Sequence, residues 1–126
     1  RHYLQVGNYY MNSITIYHNP RCSKSRATLE LLRERGIEPE VRLYLEDTPD
    51  ASELGQLLEK LGMSAAQLVR RGEADYKALA LDKHSGAAEL TAAMVKHPKL
   101  IERPIVVRGE RAVLGRPPEN VLELLD

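Results

Sequence analysis

Hydrophobic residues recur with two different periods along this chain, and each change of period marks a new part of the fold. Over residues 13–17 two isoleucines alternate with polar residues, which predicts a strand. Residues 23–35 have a helical period that ends at Gly36; the residues at helical spacing are Ala27, Thr28, Leu31 and Leu32. Apolar residues alternate again over residues 41–45. A strand-helix-strand order with this connection predicts parallel pairing through a right-handed crossover.

The middle of the chain, from about residue 48 to 98, has a helical pattern throughout. Four leucines at i, i+3, i+4 and i+7 predict a helix that ends at Gly62. Ser64 and Gln67 have the spacing of a capping box at the start of a shorter helical turn. A charged loop follows, and a further helix is predicted over residues 86–97.

The β pattern returns near the end of the chain. Residues 105–108 and 111–114 flank Gly109-Glu110, a two-residue loop that suits a type II′ hairpin. A short helix is predicted after Pro117-Pro118. The whole order predicts a thioredoxin-like α/β fold: a four-stranded mixed sheet flanked by helices, with a helical insert between strands 2 and 3.

The first ten residues show no clear period, and Met11 directly precedes the first strand. We therefore interpret residues 1–10 as a tag or an upstream extension and Met11 as the natural start. Residues 11–126 are predicted to form a single thioredoxin-like domain that includes the insert.

Composition narrows the classes of function. The 18 basic and 18 acidic side chains cancel, so no long-range field favours nucleic acid or an anionic membrane. No apolar run approaches the roughly 18 residues needed to span a bilayer. The single cysteine cannot form an intramolecular disulfide, and no signal-peptide pattern is present. These features predict a cytoplasmic protein.

The cysteine, Cys22, lies in the polar stretch H-N-P-R-C-S-K-S-R at the predicted start of the first helix. A thiol with a pKa of about 8.5 is only about 3% ionised at pH 7, whereas a pKa near 6.5 makes it about three-quarters thiolate. A helix dipole supplies about 0.3–1 kcal/mol, less than such a shift requires. Neighbouring side chains must contribute, and the candidates are His18, Arg21, Arg26 and the Ser25 hydroxyl.

Two readings of this stretch stay open. Cys22 is either a reactive thiol or a small core residue, and His18 either tunes the thiol or only closes the strand. Ser25 occupies the resolving position of a C-x-x-C motif. Three residues separate Cys22 from Arg26, which disfavours the phosphatase loop with its five.

Three further arginines attract attention: Arg70, Arg103 and Arg116. Arg103 precedes Pro104, which opens the third predicted strand, the place for a cis peptide facing the thiol in a thioredoxin-like domain. Each arginine alone is typical of a solvated surface. Together, three guanidinium groups could bind a tetrahedral oxyanion with about 4–9 kcal/mol before ordering costs.

The motifs I-T-I-Y-H-N-P-R-C-S-K-S-R, L-V-R-R, E-R-P-I-V-V and L-G-R-P-P-E resemble the glutaredoxin-dependent arsenate reductase family over about residues 14–125. The resemblance implies that Cys22 attacks arsenate, with glutathione as co-substrate, glutaredoxin as partner and no bound cofactor. It implies the following site: Arg70, Arg103 and Arg116 bind the oxyanion, His18 tunes the thiol, Ser25 and Arg26 head the helix, and Pro104 is the cis-proline. Arg71 rivals Arg70 for its role.

One departure from the family leaves the substrate open. The family's resistance enzymes carry Gly-Thr after the cysteine, where this chain has Ser23-Lys24. Two other functions therefore stay in view: a thioredoxin-like regulator that contacts RNA polymerase, and a monothiol oxidoreductase acting on glutathionylated proteins. No metal is expected, because the four scattered histidines and one cysteine lack ligand spacing.

Overall fold

The computed structural model describes residues 13–125, so the predicted extension at residues 1–10 and the predicted start at Met11 lie outside the described residues. The described chain forms two compact units. Of the described residues, the first unit, the sheet unit, contains 13–43 and 103–125. The second, the helical unit, is Tyr44–Glu102 and corresponds to the predicted insert.

The sheet unit contains the predicted four-stranded mixed sheet, in the order β2-β1-β3-β4. Strand β1 pairs parallel with β2 and antiparallel with β3, and β3 pairs antiparallel with β4. The strands are β1 (Ile14–Tyr17), β2 (Glu40–Arg42), β3 (Ile105–Arg108) and β4 (Arg111–Leu114). This arrangement confirms the thioredoxin-like fold.

Helix α1 (Ser23–Glu34) and a 3-10 helix (Pro118–Leu124) contribute to one core with the sheet. The buried members of this core are Ile14, Ile16, Leu29, Leu32, Val106, Val121 and Leu124. Burial of one such side chain contributes about 1.5–3 kcal/mol. The chain leaves α1 at Gly36, whose φ of +79° is the left-handed conformation that glycine adopts without a steric penalty.

The prediction for strand β2 was wrong in its extent. The expected strand covered residues 41–45, but β2 ends at Arg42, and Val41 and Leu43 are 37% and 36% exposed. Because β2 is an edge strand, its alternating apolar residues do not all face a core. The chain instead turns after Leu43 and buries Tyr44.

The β3–β4 hairpin has the predicted bounds, and Gly109 has a φ of +62°, as the first loop position of a type II′ turn requires. The helix predicted after the two prolines is present as the seven-residue 3-10 helix.

In the helical unit, α2 (Ala51–Leu61) begins where the Asp50 carboxylate accepts the N–H of Glu53 at 2.8 Å, and it ends at the predicted Gly62. The capping box of Ser64 and Gln67 is confirmed at the start of the next helix. The remaining elements are α3 (Ala65–Leu68), α4 (Ala74–Ala78), α5 (Ala87–Lys96) and a 3-10 turn (Pro98–Leu100).

Helix α4 lies where a charged loop was predicted. It buries none of its residues, so no apolar period marks it in the sequence. Within residues 13–125, no helix is both long and apolar enough to cross a membrane.

Candidate active site

Cys22 is the N-cap residue of α1, placed there by a tight turn. Its N–H donates to the Asn19 carbonyl at 3.0 Å, and its carbonyl accepts the N–H of Arg26 at 2.9 Å as the first helical bond. The Asn19 side chain stabilises the turn by accepting the N–H of Arg21 at 3.0 Å. The cysteine is 8% exposed, so the thiol lies near the surface of the sheet unit with little contact to water.

Two opposing influences act on the pKa of the Cys22 thiol. Burial raises the pKa, but the backbone N–H of Ser25, the positive charge of Arg103 and the backbone N–H of Lys24 lower it, and the Arg103 guanidinium also donates a hydrogen bond to the sulfur. The net result is a lowered pKa, in the predicted direction. Burial alone would raise the pKa, so the hydrogen-bond donors and the charge of Arg103 account for its being lowered.

The cation that acts on the thiol is Arg103, from the segment before β3, and not one of the local arginines considered from the sequence. Arg21 is exposed on the turn. Arg26 donates to the Pro20 carbonyl at 2.9 Å, which ties its guanidinium to the same turn. A role for Arg26 in oxyanion binding stays a prediction.

His18 is buried directly after β1, and its Nδ1 lies 2.6 Å from the Ser25 hydroxyl oxygen. Burial, and then the charges of Arg33 and Arg26, lower the pKa of His18, which favours a neutral ring at pH 7. The hydroxyl oxygen of Ser25 also accepts the N–H of Asn19 at 3.0 Å. A neutral ring protonated on Nε2 would accept the hydroxyl proton of Ser25 at Nδ1, whereas one protonated on Nδ1 would donate to the hydroxyl oxygen.

This arrangement corrects two expectations. His18 is not a cation beside the thiolate, because its pKa is lowered. The Ser25 hydroxyl, considered as a donor to the sulfur, instead bonds with His18, and the backbone N–H of Ser25 is the group that reaches the sulfur. A role for His18 in tuning the thiol stays a prediction, and the contact that the structure shows is with Ser25.

Arg103 and Arg116 lie together in the sheet unit. The Arg103–Pro104 peptide is cis, as predicted, and the Arg116–Pro117 peptide is cis as well. The Arg116 guanidinium donates to the Arg103 carbonyl at 3.3 Å. Thus two of the three predicted oxyanion ligands are neighbours, and one of them reaches the Cys22 sulfur.

Arg70 and Arg71 belong to the helical unit. Arg70 is half-buried, and its guanidinium lies 3.3 Å from the carboxylate of Glu73 and 3.9 Å from that of Glu102. Arg71 is exposed and donates to the Ala66 carbonyl at 3.3 Å. Arg70 is the more firmly held of the two rivals, and its convergence on Cys22 stays a prediction.

Sequence analysis missed three residues that contact this part of the sheet unit: Thr28, Gly115 and Asn120. Thr28 is fully buried, and its hydroxyl lies within hydrogen-bonding distance of the Gly115 carbonyl. Asn120 donates to the Arg116 carbonyl. The one available signal was the glycine in L-G-R-P-P, because a glycine beside a functional arginine indicates close backbone approach.

The described residues include no group of three or more histidine, cysteine, aspartate or glutamate side chains arranged to hold a metal ion.

Comparison with known proteins places the chain in a family. The ArsC family model matches residues 17–124. The uncharacterized protein YfgD of Escherichia coli (strain K12) is 58% identical over 114 residues, which cover 89% of this chain and 96% of that protein. The arsenate reductase of Haemophilus influenzae is 49% identical over 115 residues, covering 90% and 99% of the two chains.

A solved structure supports the same grouping. The arsenate reductase from Vibrio cholerae superposes with a TM-score of 0.86 at 51% identity, over 90% of this chain and 98% of that one. This chain, with a cysteine at a helix start and two neighbouring arginines, is thus similar to these proteins over nearly its whole described length. The chain belongs to the ArsC family.

Proposed function

We propose that this protein is an oxidoreductase that reduces arsenate to arsenite, with Cys22 as nucleophile and with glutathione and glutaredoxin as the reductants. The observation that carries the proposal is the thiolate site itself: two backbone N–H groups and the Arg103 guanidinium act on the sulfur and lower its pKa despite burial. A cysteine that served only to fill the core would not need these donors.

In the first step the Cys22 thiolate attacks As(V), and an As–O bond breaks with loss of water after protonation. The Arg103 and Arg116 guanidinium groups stabilise the oxyanion charge during this displacement, each with about 1.5–3 kcal/mol for a charged hydrogen bond. The product is a covalent thiol–As(V) adduct on Cys22.

In the second step the thiolate of glutathione attacks the Cys22 sulfur of this adduct. A sulfur–sulfur bond forms, the sulfur–arsenic bond breaks, and its electron pair stays on arsenic, which leaves as As(III) in arsenite. Glutaredoxin then attacks the glutathione sulfur of the mixed disulfide and releases the Cys22 thiolate. Two thiols have been oxidised to one disulfide, which balances the two electrons gained by arsenic.

The external thiol follows from the composition of the chain. Cys22 is the single cysteine, and the position of a resolving cysteine is taken by Ser25. The chain therefore has no second thiol with which to close an internal disulfide. A supply of reduced glutathione is typical of the cytoplasm, where we expect the protein to work.

Arg70 is the third proposed oxyanion ligand, and its carboxylate partners bear on that role. Glu73 and Glu102 partly neutralise its guanidinium. Because part of the charge of Arg70 is already balanced, we expect its net contribution to oxyanion binding to be smaller than that of Arg103.

The relatives support arsenate as the oxyanion, since the proteins from Haemophilus influenzae and Vibrio cholerae carry the name arsenate reductase. The lowered pKa of the thiol favours this proposal over a binding protein without catalysis.

Arsenate-dependent NADPH oxidation, coupled through glutathione reductase with glutathione and glutaredoxin present, tests the proposal. We expect turnover that requires arsenate, glutathione and Cys22, with Cys22→Ser as the matched control. A folded protein without arsenate turnover would overturn the proposal. If the same protein instead reduced glutathionylated substrates without arsenate, it would be a monothiol oxidoreductase.

A further inference from the structure

We propose that Thr28 is a positioning residue that fixes the thiol-bearing start of helix α1 against the segment carrying Arg116. This inference rests on the proposed function for its kinetic part and on the geometry of the sheet unit for the rest. Thr28 touches neither the thiol nor, in the proposed mechanism, the oxyanion.

The hydroxyl of Thr28 lies between two parts of the site. Its side chain is 0% exposed, and its Oγ1 is 2.8 Å from the Lys24 carbonyl and 3.2 Å from the Gly115 carbonyl. Lys24 is in the first turn of α1, and its N–H acts on the Cys22 sulfur. The single proton of the hydroxyl can thus be shared between a carbonyl in the first turn of α1 and the carbonyl of the residue before Arg116.

Gly115 allows this close approach. A Cβ at this position would lie 2.5 Å from Oγ1 of Thr28 and 2.9 Å from Cγ of Pro104. The N–H of Gly115 donates to the Pro104 carbonyl at 2.9 Å. A side chain does not fit here, so the glycine serves to bring three backbone segments into contact.

Asn120 also bonds to the segment around Gly115. Its Nδ2 donates to the Leu114 carbonyl at 3.1 Å and to the Arg116 carbonyl at 3.2 Å, on either side of Gly115. Since the amide has two protons, it can satisfy both carbonyls at once. The backbone that presents Arg116 is therefore held by hydrogen bonds that Asn120 donates to the carbonyls on both sides of Gly115 and by the Thr28 hydroxyl at the Gly115 carbonyl.

These contacts form a closed path around the proposed site. From Cys22 the path runs along α1 to Thr28 and across to Gly115 and Arg116. Arg116 then donates to the Arg103 carbonyl, and Arg103 returns to the Cys22 sulfur. Loss of the Thr28 hydroxyl removes the hydrogen bond that joins α1 to the segment carrying Arg116. The distance from Arg103 to the thiol is then less firmly fixed.

A matched set of variants tests this role. Thr28→Val keeps the volume and removes the hydroxyl, and Thr28→Ser keeps the hydroxyl. Thr48→Val is the control, because the Thr48 hydroxyl makes the same type of bond, to the Tyr44 carbonyl four residues earlier at 3.0 Å, in the helical unit. All are measured well below their melting temperatures, by thiol alkylation against pH and by arsenate kinetics.

We expect Thr28→Val to raise the Cys22 pKa and to lower kcat/KM for arsenate by about tenfold, the size of effect typical of one lost hydrogen bond. Thr28→Ser should restore both values, and Thr48→Val should change neither, although it lowers the melting temperature. A wild-type thiol pKa and wild-type kinetics in folded Thr28→Val would overturn the proposal.

The two readouts separate this inference from the proposed function. Alkylation needs no arsenate, so a wild-type protein without arsenate turnover would refute the function while the thiol pKa still tested Thr28. If Thr28→Val does not fold, Thr28→Ala removes the hydroxyl without placing a methyl group against two carbonyls. An unchanged thiol pKa in Thr28→Ala would likewise overturn the positioning role.

Discussion

Arg103 in the sheet unit and Arg70 in the helical unit carry the same side chain in different electrostatic surroundings. Arg103 directly precedes the cis-proline Pro104, and it lowers the pKa of Cys22. Arg70 lies between the carboxylates of Glu73 and Glu102. A guanidinium beside a thiol favours the thiolate, whereas one between two carboxylates has part of its charge already balanced.

The contrast between Arg103 and Arg70 has no bearing on catalysis if the Cys22 thiol is not the reactive group. Cys22→Ser should reduce arsenate turnover to background, because a hydroxyl is far less nucleophilic than a thiolate at neutral pH. The coupled NADPH assay measures the loss. Circular dichroism and the melting temperature should show an intact fold, and residual arsenate-dependent turnover in a folded variant would assign the nucleophile elsewhere.

Replacement of Arg103 is expected to have the next largest effect on arsenate turnover. Arg103→Ala should lower kcat/KM for arsenate by roughly ten- to hundredfold, equivalent to a loss of about 1.5–3 kcal/mol, and should raise the Cys22 pKa. Arg103→Lys keeps the charge but loses the bidentate fork, so we expect it to retain more of the pKa shift than of the arsenate affinity.

Thiol alkylation and steady-state kinetics give these two quantities separately, with the melting temperature as the control for folding. An unchanged thiol pKa in Arg103→Ala would show that backbone N–H groups alone account for the thiolate.

Replacement of Arg70 tests the same contrast in the helical unit. Arg70→Ala should lower kcat/KM by about tenfold, at the lower end of the range for a charged hydrogen bond. The thiol pKa should not change, since Arg70 is not among the groups that shift it.

Arg71→Ala is the matched control for the neighbouring position, and its kinetics should stay within about twofold of the wild type, as for an exposed side chain. The reverse result, with Arg71 sensitive and Arg70 not, would exchange the two assignments.

The smallest expected effect is on stability. The folded protein holds the Cys22 pKa below its ordinary value, so between the folded pKa and about 8.5 the unfolded chain binds more protons. The free energy of unfolding of the wild type should therefore rise relative to Cys22→Ser as pH increases through this window. The gain is lost as pH falls through the folded pKa. Urea denaturation at several pH values measures the difference, and a difference independent of pH would contradict the lowered pKa.

The predictability of the fold from sequence depended on how strongly each element is patterned. The β3–β4 hairpin was predicted with its observed bounds, because Gly109-Glu110 separates two short apolar runs. Helix α1 was predicted in place, but Leu31, expected on its apolar stripe, is only partly buried, whereas Leu29 is buried. Helical spacing fits several faces of a leucine-rich helix, and the sheet decides which one is covered.

The site was predictable where local sequence determines it. The position of Cys22 at a helix start and the cis peptide before Pro104 both follow from motif and topology. The groups that act on Cys22 were harder to foresee, because Arg103 comes from the segment before β3, far along the chain, and Ser25 acts on the sulfur through its backbone N–H. Thr28 bonds to a backbone carbonyl far along the chain, which leaves no periodic signal in the sequence.

The most direct test of the account is the fate of Cys22 during turnover with an external thiol. The protein is incubated with arsenate and glutathione in the absence of glutaredoxin, and intact-mass spectrometry follows the chain. The account predicts a glutathione adduct on Cys22 that disappears when glutaredoxin is added, as arsenite forms. Equal turnover with thioredoxin alone and no glutathione, without any adduct, would contradict it.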